Sequence, residues 1–119
     1  MGARLRHKLL GQLRPATSGA FDAYLVPVGS QATIRLMDVV KTTSGAGTFS
    51  IYVDGDTTDG TTATELTAIA FKQPISGLTT LPILSGDRLD LGSGALVMFQ
   101  NHGSGSALTI HIFGVEITT

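Results

Sequence analysis

The sequence predicts an all-β protein: an antiparallel β-sandwich, eight-stranded and in jelly-roll order, preceded by a basic N-terminal arm that is extended or forms a short helix. Three observations predict it. After Pro15 the chain carries most of its Thr, Gly, Val and Ile, the residues of strands and turns. Several short runs alternate apolar with polar residues, the period of a strand with one buried face. Turn clusters separate these runs at short, regular spacing, and nothing between them reads as a helix, so parallel topologies with helical crossovers are disfavoured.

The strands are expected over residues 23–28, 32–42, 48–54, 64–73, 78–84, 88–91, 95–100 and 107–118. The turns between them are Val28-Gly29-Ser30, Ser44 to Gly47, Asp54 to Thr62, Ser76-Gly77, Ser85-Gly86-Asp87, Gly92-Ser93-Gly94 and Asn101 to Ser106. Phe49, Ile51 and Val53 alternate with Thr48, Ser50 and Tyr52, and Leu108, Ile110 and Ile112 alternate with Thr109, His111 and Phe113. Met37, Val39, Ile69, Phe71, Val97, Phe99 and Phe113 fall on the opposite parity. Strands apolar on both faces are expected where the second face meets another subunit, so Met37, Val39, Val97 and Phe99 are candidates for a self-association interface, with a homotrimer favoured.

The 119 residues fit one domain, divided into an arm over 1–16 and a sandwich over 17–119. Hydrophobic residues make up 42% and charged residues 14%, which excludes disorder for most of the chain. The absence of Cys excludes a disulfide framework, thiolate metal sites and a cysteine nucleophile. No apolar run reaches the roughly 18 residues of a membrane helix, and no membrane partner is expected. The net charge of −1 conceals an asymmetry: Arg4, Arg6, Lys8 and Arg14 are four of the eight basic residues, which leaves four basic against nine acidic side chains in the rest. Leu5, Leu9, Leu10 and Leu13 share the arm with them at a spacing that would line one face of a short amphipathic helix. A leucine-bearing basic arm suits an acidic protein surface; nucleic acid is the less favoured partner.

Motifs that carry chemistry are few. Gly45-Ala46-Gly47 and Gly92-Ser93-Gly94 lie between strands rather than at the start of a helix, so they are turns and not phosphate cradles. His7, His102 and His111 lack metal-ligand spacing, and His111 reads as a face residue near a subunit contact. Asp54, Asp56, Thr58 and Glu65 echo positions 1, 3, 5 and 12 of a calcium loop, with Asp59 where that loop needs glycine. A hairpin loop is the preferred reading, because Asp and Gly also cluster in ordinary turns; the alternative is a calcium site on Asp54, Asp56, Asp59 and Glu65. No catalytic residue, cofactor or enzymatic activity is expected.

Leu10-Gly11-Gln12-Leu13-Arg14-Pro15, Tyr24-Leu25-Val26-Pro27-Val28-Gly29, Gly86-Asp87-Arg88-Leu89 and Phe113-Gly114-Val115-Glu116-Ile117 together carry a resemblance. The chain resembles a group of short tailed-bacteriophage virion proteins in which a Leu-Gly-Gln head leads to a Tyr-x-Val-Pro-x-Gly hairpin and the chain closes on Phe-Gly-x-Glu-Ile. The resemblance implies a small jelly-roll or sandwich protein of the virion that decorates heads or builds necks, collars and tails, usually as a symmetric oligomer. It implies no catalytic residues. The function expected from residues and resemblance together is that of a capsid decoration or cement protein. Its partners would be the major capsid protein or another virion structural protein, met through Arg4, Leu5, Arg6, Lys8, Leu9, Leu10, Leu13 and Arg14. A neck, collar or tail component is the alternative. A carbohydrate- or receptor-binding module is the second, weakened because the chain has no Trp and only Tyr24 and Tyr52 to stack on a sugar ring.

Overall fold

The computed structural model describes residues 8–14, 19–55, 67–102 and 107–118. They form an antiparallel β-sandwich of two four-stranded sheets. The strands are β1 (Lys8–Leu13), β2 (Gly19–Leu25), β3 (Ser30–Lys41), β4 (Gly47–Asp54), β5 (Ala68–Ile75), β6 (Thr79–Leu91), β7 (Leu96–Asn101) and β8 (Leu108–Thr118). The first sheet runs β1-β8-β3-β6 and the second β2-β7-β4-β5. The pairings β1 with β8, β2 with β7, β3 with β6 and β4 with β5 nest inside one another, like one long hairpin folded over on itself.

Eight strands are present, as expected, but not the same eight. The predicted strands 78–84 and 88–91 are one continuous strand, β6. The Ser85-Gly86-Asp87 signal is absorbed as an irregularity: Ile34 pairs with Leu89 and Leu36 with Ser85, so β6 spends two more residues than β3 over that interval. An edge strand tolerates this, since only one of its sides is committed to a ladder.

The eighth strand is β1, and here the structure corrects the expected arm. Over Lys8–Leu13 the chain is not helical; it pairs with β8 as an edge of the first sheet. A bulge at Leu10 leaves Leu9 facing outward, while Leu10 and Leu13 pack against the core. Two of the four leucines assigned to a partner therefore serve the sandwich itself, and the sandwich begins by Lys8 rather than at residue 17. The physical reason is that the ladder with β8 and the shared core satisfy backbone and apolar side chains together, which a short isolated helix cannot do. Gly11 permits the strand to close that side of the sandwich: a Cβ there would stand 2.5 Å from the Ala23 carbonyl oxygen of β2. Arg4, Leu5 and Arg6 lie outside the described residues.

The core lies between the inner faces of the two sheets. Ile34, Met37 and Val39 of β3 and Ile110 and Ile112 of β8 meet Phe49 and Ile51 of β4 and Val97 and Phe99 of β7, all 0% exposed. The rings of Phe49 and Phe99 pack tilted, 5.8 Å between centroids. Met37, Val39, Val97 and Phe99, expected at a subunit interface, are thus core residues, and this basis for a trimer falls away. In β3 the cause is a bulge at Arg35, where Ile34 pairs with Gly114 and Leu36 with Phe113; one extra residue reverses the alternation, so Ile34 and Met37 both point inward. In β7 both parities are apolar, and packing selected Val97 and Phe99 over Leu96 and Met98.

Two sets of polar contacts brace this frame, one between the sheets and one local to the end of β3. Tyr24 of β2 donates its hydroxyl proton to Glu116 of β8 at 2.6 Å, linking the two sheets. Lys41, 2% exposed at the end of β3, donates to Thr43 O (3.1 Å), Thr43 Oγ1 (2.7 Å) and Ser44 O (3.2 Å), so its ammonium is caged by three neutral oxygens.

Candidate functional site

The surface that the chain builds but does not use in its own core is the outer face of the first sheet. Register alone lays its side chains in rows across the strands. Leu9, Phe113 and Leu36 form one row over β1, β8 and β3, since Leu9 pairs with Phe113 and Phe113 with Leu36. The next row is Gln12, His111, Asp38 and Pro82, across all four strands. A third row joins Thr109 to Val40 and Thr80. Leu9 is 44% exposed, and Phe113, Leu36 and Val40 are partly exposed.

The middle row is a hydrogen-bonded chain. His111 donates from Nδ1 to Asp38 Oδ1 at 2.9 Å, and the Gln12 amide nitrogen stands 3.4 Å from His111 Nε2. An amide N–H at Nε2 and a ring proton on Nδ1 toward Asp38 are mutually consistent. The imidazole lies over the Phe113 ring at 6.3 Å. With about a quarter and a fifth of their side chains exposed, His111 and Asp38 form a half-buried pair in an apolar setting.

Toward the other end of this face, Arg88 forms a two-nitrogen contact with Asp90 Oδ2 at 2.9 and 3.1 Å, and Thr33 donates to Asp90 Oδ1 at 2.8 Å. The Arg88 hydrogen bonds, then the one from Thr33, hold the Asp90 carboxyl below the usual carboxylate range. These residues and Ile117 border an open cavity of about 360 Å³. Both ends of the pair are more than half exposed, so it contributes little stability.

The second sheet holds a serine–histidine pair that the sequence did not announce. Ser50 Oγ lies 2.7 Å from His102 Nε2 and accepts the Lys72 N–H at 2.9 Å. Lys72 has φ of +48° at an irregularity in β5, and the serine satisfies an amide that the disturbed ladder does not. Ser50 is 0% exposed, and its hydroxyl serves these two internal bonds. The partners lie 52 residues apart and no spacing could have signalled them.

Of the remaining sequence-derived candidates, Lys8 and Arg14 flank the first sheet at β1, with Arg14 donating to Thr42 at 3.3 Å. Asp54 closes β4, while Asp56, Asp59 and Glu65 lie outside the described residues; among the described residues no group of three or more His, Asp or Glu is placed to hold a metal ion. His111, expected on a face, is on the outer face of β8. Three of the four segments that carried the family resemblance meet, since Gly11 lies against Ala23 and Tyr24 and Tyr24 bonds Glu116; the fourth, Gly86 to Leu89, lies apart from them on β6, the opposite edge of the first sheet. Compared with known proteins, the chain matches no family model, no curated protein and no solved structure.

Proposed function

We propose that this chain is a structural protein of a tailed-phage virion, a jelly-roll cement protein that stabilises a capsid through its outer surfaces and through contacts between its own copies. The observation that carries the reading is the apolar row Leu9, Phe113 and Leu36 on the outside of a sheet whose core is already complete without it. Apolar side chains ordered in a row on a rigid sheet are a contact surface in waiting, because burying them against a partner removes apolar area from water at no folding cost. The nested strand pairings support the jelly-roll reading, and the meeting of three of the four resemblance segments around Tyr24 supports treating those three as parts of one frame rather than chance matches.

The partner is a protein surface, the major capsid protein or another virion component, and the place of action is the assembled particle. The test is rebinding: purified chain is added to heads and, separately, to tails lacking it, and bound density is sought by electron microscopy. Regular density on heads is the expected result. Density on tails alone would assign the chain to the neck, collar or tail, and no density on either particle would remove the virion reading.

A further inference from the structure

We infer that the outer face of the β1-β8-β3-β6 sheet is the contact with a second copy of this chain, through a two-fold axis running parallel to the strands between β8 and β3. The inference rests on the reading of this face as an interface and specifies its occupant. β8 and β3 are the two central strands of the sheet, so a rotation about that line sends each onto the other's place in the partner. Position by position, the register then matches chemistry across the axis. Asp38 pairs with His111 within one chain, so after rotation Asp38 of one copy faces His111 of the other, and the reverse. Phe113 faces Leu36. Carboxylate meets imidazole, and ring meets aliphatic side chain.

The electrostatics of the face favour a like partner. Among the described side chains the face carries Asp38 and Asp90 against Arg88 and Arg35, with His111 beside Asp38, so it is close to neutral and two copies can approach without strong repulsion. A second copy brings a further imidazole to each Asp38 and a further carboxylate to each His111, which favours covering this half-buried pair. Area agrees. Strands of 6, 11, 13 and 12 residues, at about 3.4 Å per residue and about 4.8 Å between strands, span a face of roughly 700 Å². That falls within the roughly 600–1,000 Å² per partner of a specific, stable interface. An axis parallel to the strands keeps the two sheets aligned, the commoner way for sheets to pack face to face.

The test uses the full chain alone, without virion components. Sedimentation velocity on the wild type, up to about 100 µM, should show a species of twice the 12.4 kDa chain mass. Phe113→Glu and Leu36→Lys should each weaken association at least about tenfold, one unpaired buried charge being ample for that. Mixing the two in equal amounts should restore a dimer, because the introduced carboxylate then faces the introduced ammonium while the other half of the interface is wild type. Phe71→Glu, on β5 of the second sheet, should associate as the wild type does. Far-ultraviolet spectra check folding, and Val115→Glu with Thr33→Lys, the register pair Thr33 and Val115 on the same two strands, is the substitute pair if either first variant does not fold. A monomeric wild type, a dimer indifferent to the single substitutions, or a mixture no better than its components would overturn the inference. A monomer that still coats heads would leave the cement reading standing without this contact; a dimer that binds neither heads nor tails would do the opposite.

Discussion

Removing residues 1–14 separates an appended arm from an integral first strand. An arm could be deleted with the melting transition unchanged. In the structure the deletion takes away β1, and with it Leu10 and Leu13, which pack against the core, and the ladder along β8. Full burial of a leucine is worth about 1.5–3 kcal/mol, so two partly buried ones contribute roughly 2–4 kcal/mol. The ladder's net hydrogen-bond gain, about 0.5–1.5 kcal/mol per bond, is offset by the roughly 1–2 kcal/mol per residue needed to order the strand. The loss is therefore set by the leucines and by the exposure of Ile110 and Ile112, now on an edge. Against a total stability of about 5–15 kcal/mol, 2–4 kcal/mol is a large share. It corresponds to a fall in Tm of roughly 10–20 °C for a domain of this size. Because the chain has no Trp, circular dichroism and calorimetry are the suitable assays. Deleting only residues 1–7 leaves β1 in place and should lower Tm less than the longer deletion does; a change within about 3 °C, below the effect of 1 kcal/mol, counts as none. A chain lacking 1–14 that melts within the same margin of the full chain would refute the assignment of β1 to the fold.

Two further expectations follow from buried polar groups. Lys41→Met keeps most of the volume but leaves the Thr43 and Ser44 carbonyl oxygens and the Thr43 hydroxyl without their donor; a loss of about 1–3 kcal/mol in urea unfolding is expected, with faster amide exchange around Thr43 and Ser44. An unchanged urea midpoint would show that the ammonium cage contributes nothing. Burial first, then the hydrogen bond to Glu116 and its negative charge, push the Tyr24 hydroxyl well above the ordinary tyrosine value near 10. The folded state thus holds this proton more tightly than the unfolded chain does, so its contribution to stability is complete below about pH 10 and is lost as pH rises beyond it. In an ultraviolet titration of the folded protein the Tyr24 step should come well above pH 10, and Tyr24→Phe should abolish it; a spectrum in which Tyr24→Phe removes a step near pH 10 would contradict it.

Fold class was legible because its causes are local. Alternation at Phe49-Ile51-Val53 and Leu108-Ile110-Ile112 demands a pleated strand with one buried face, and Gly, Asn and Asp between such runs demand turns, whatever the strands later pair with. His111 could likewise be placed on an outer face, because it alternates with isoleucines that must go inside. Phase and partnership were not local. A single bulge at Arg35 decides that Met37 and Val39 enter the core while Leu36 and Val40 stay outside, and no propensity of Arg35 announces it; the bulge exists because two neighbouring strands share one register. β7, apolar on both parities, could be assigned only when Phe99 met Phe49. The leucines of β1 have a spacing that fits a helix, and only the vacant edge of β8, nearly 100 residues later, makes a strand the better use of them. The Gln12, His111 and Asp38 row has the same origin: two residues from the first third of the chain and one from its end become one site because sheet register puts side chains from β1, β3 and β8 side by side, a distance relation that sequence separation does not encode.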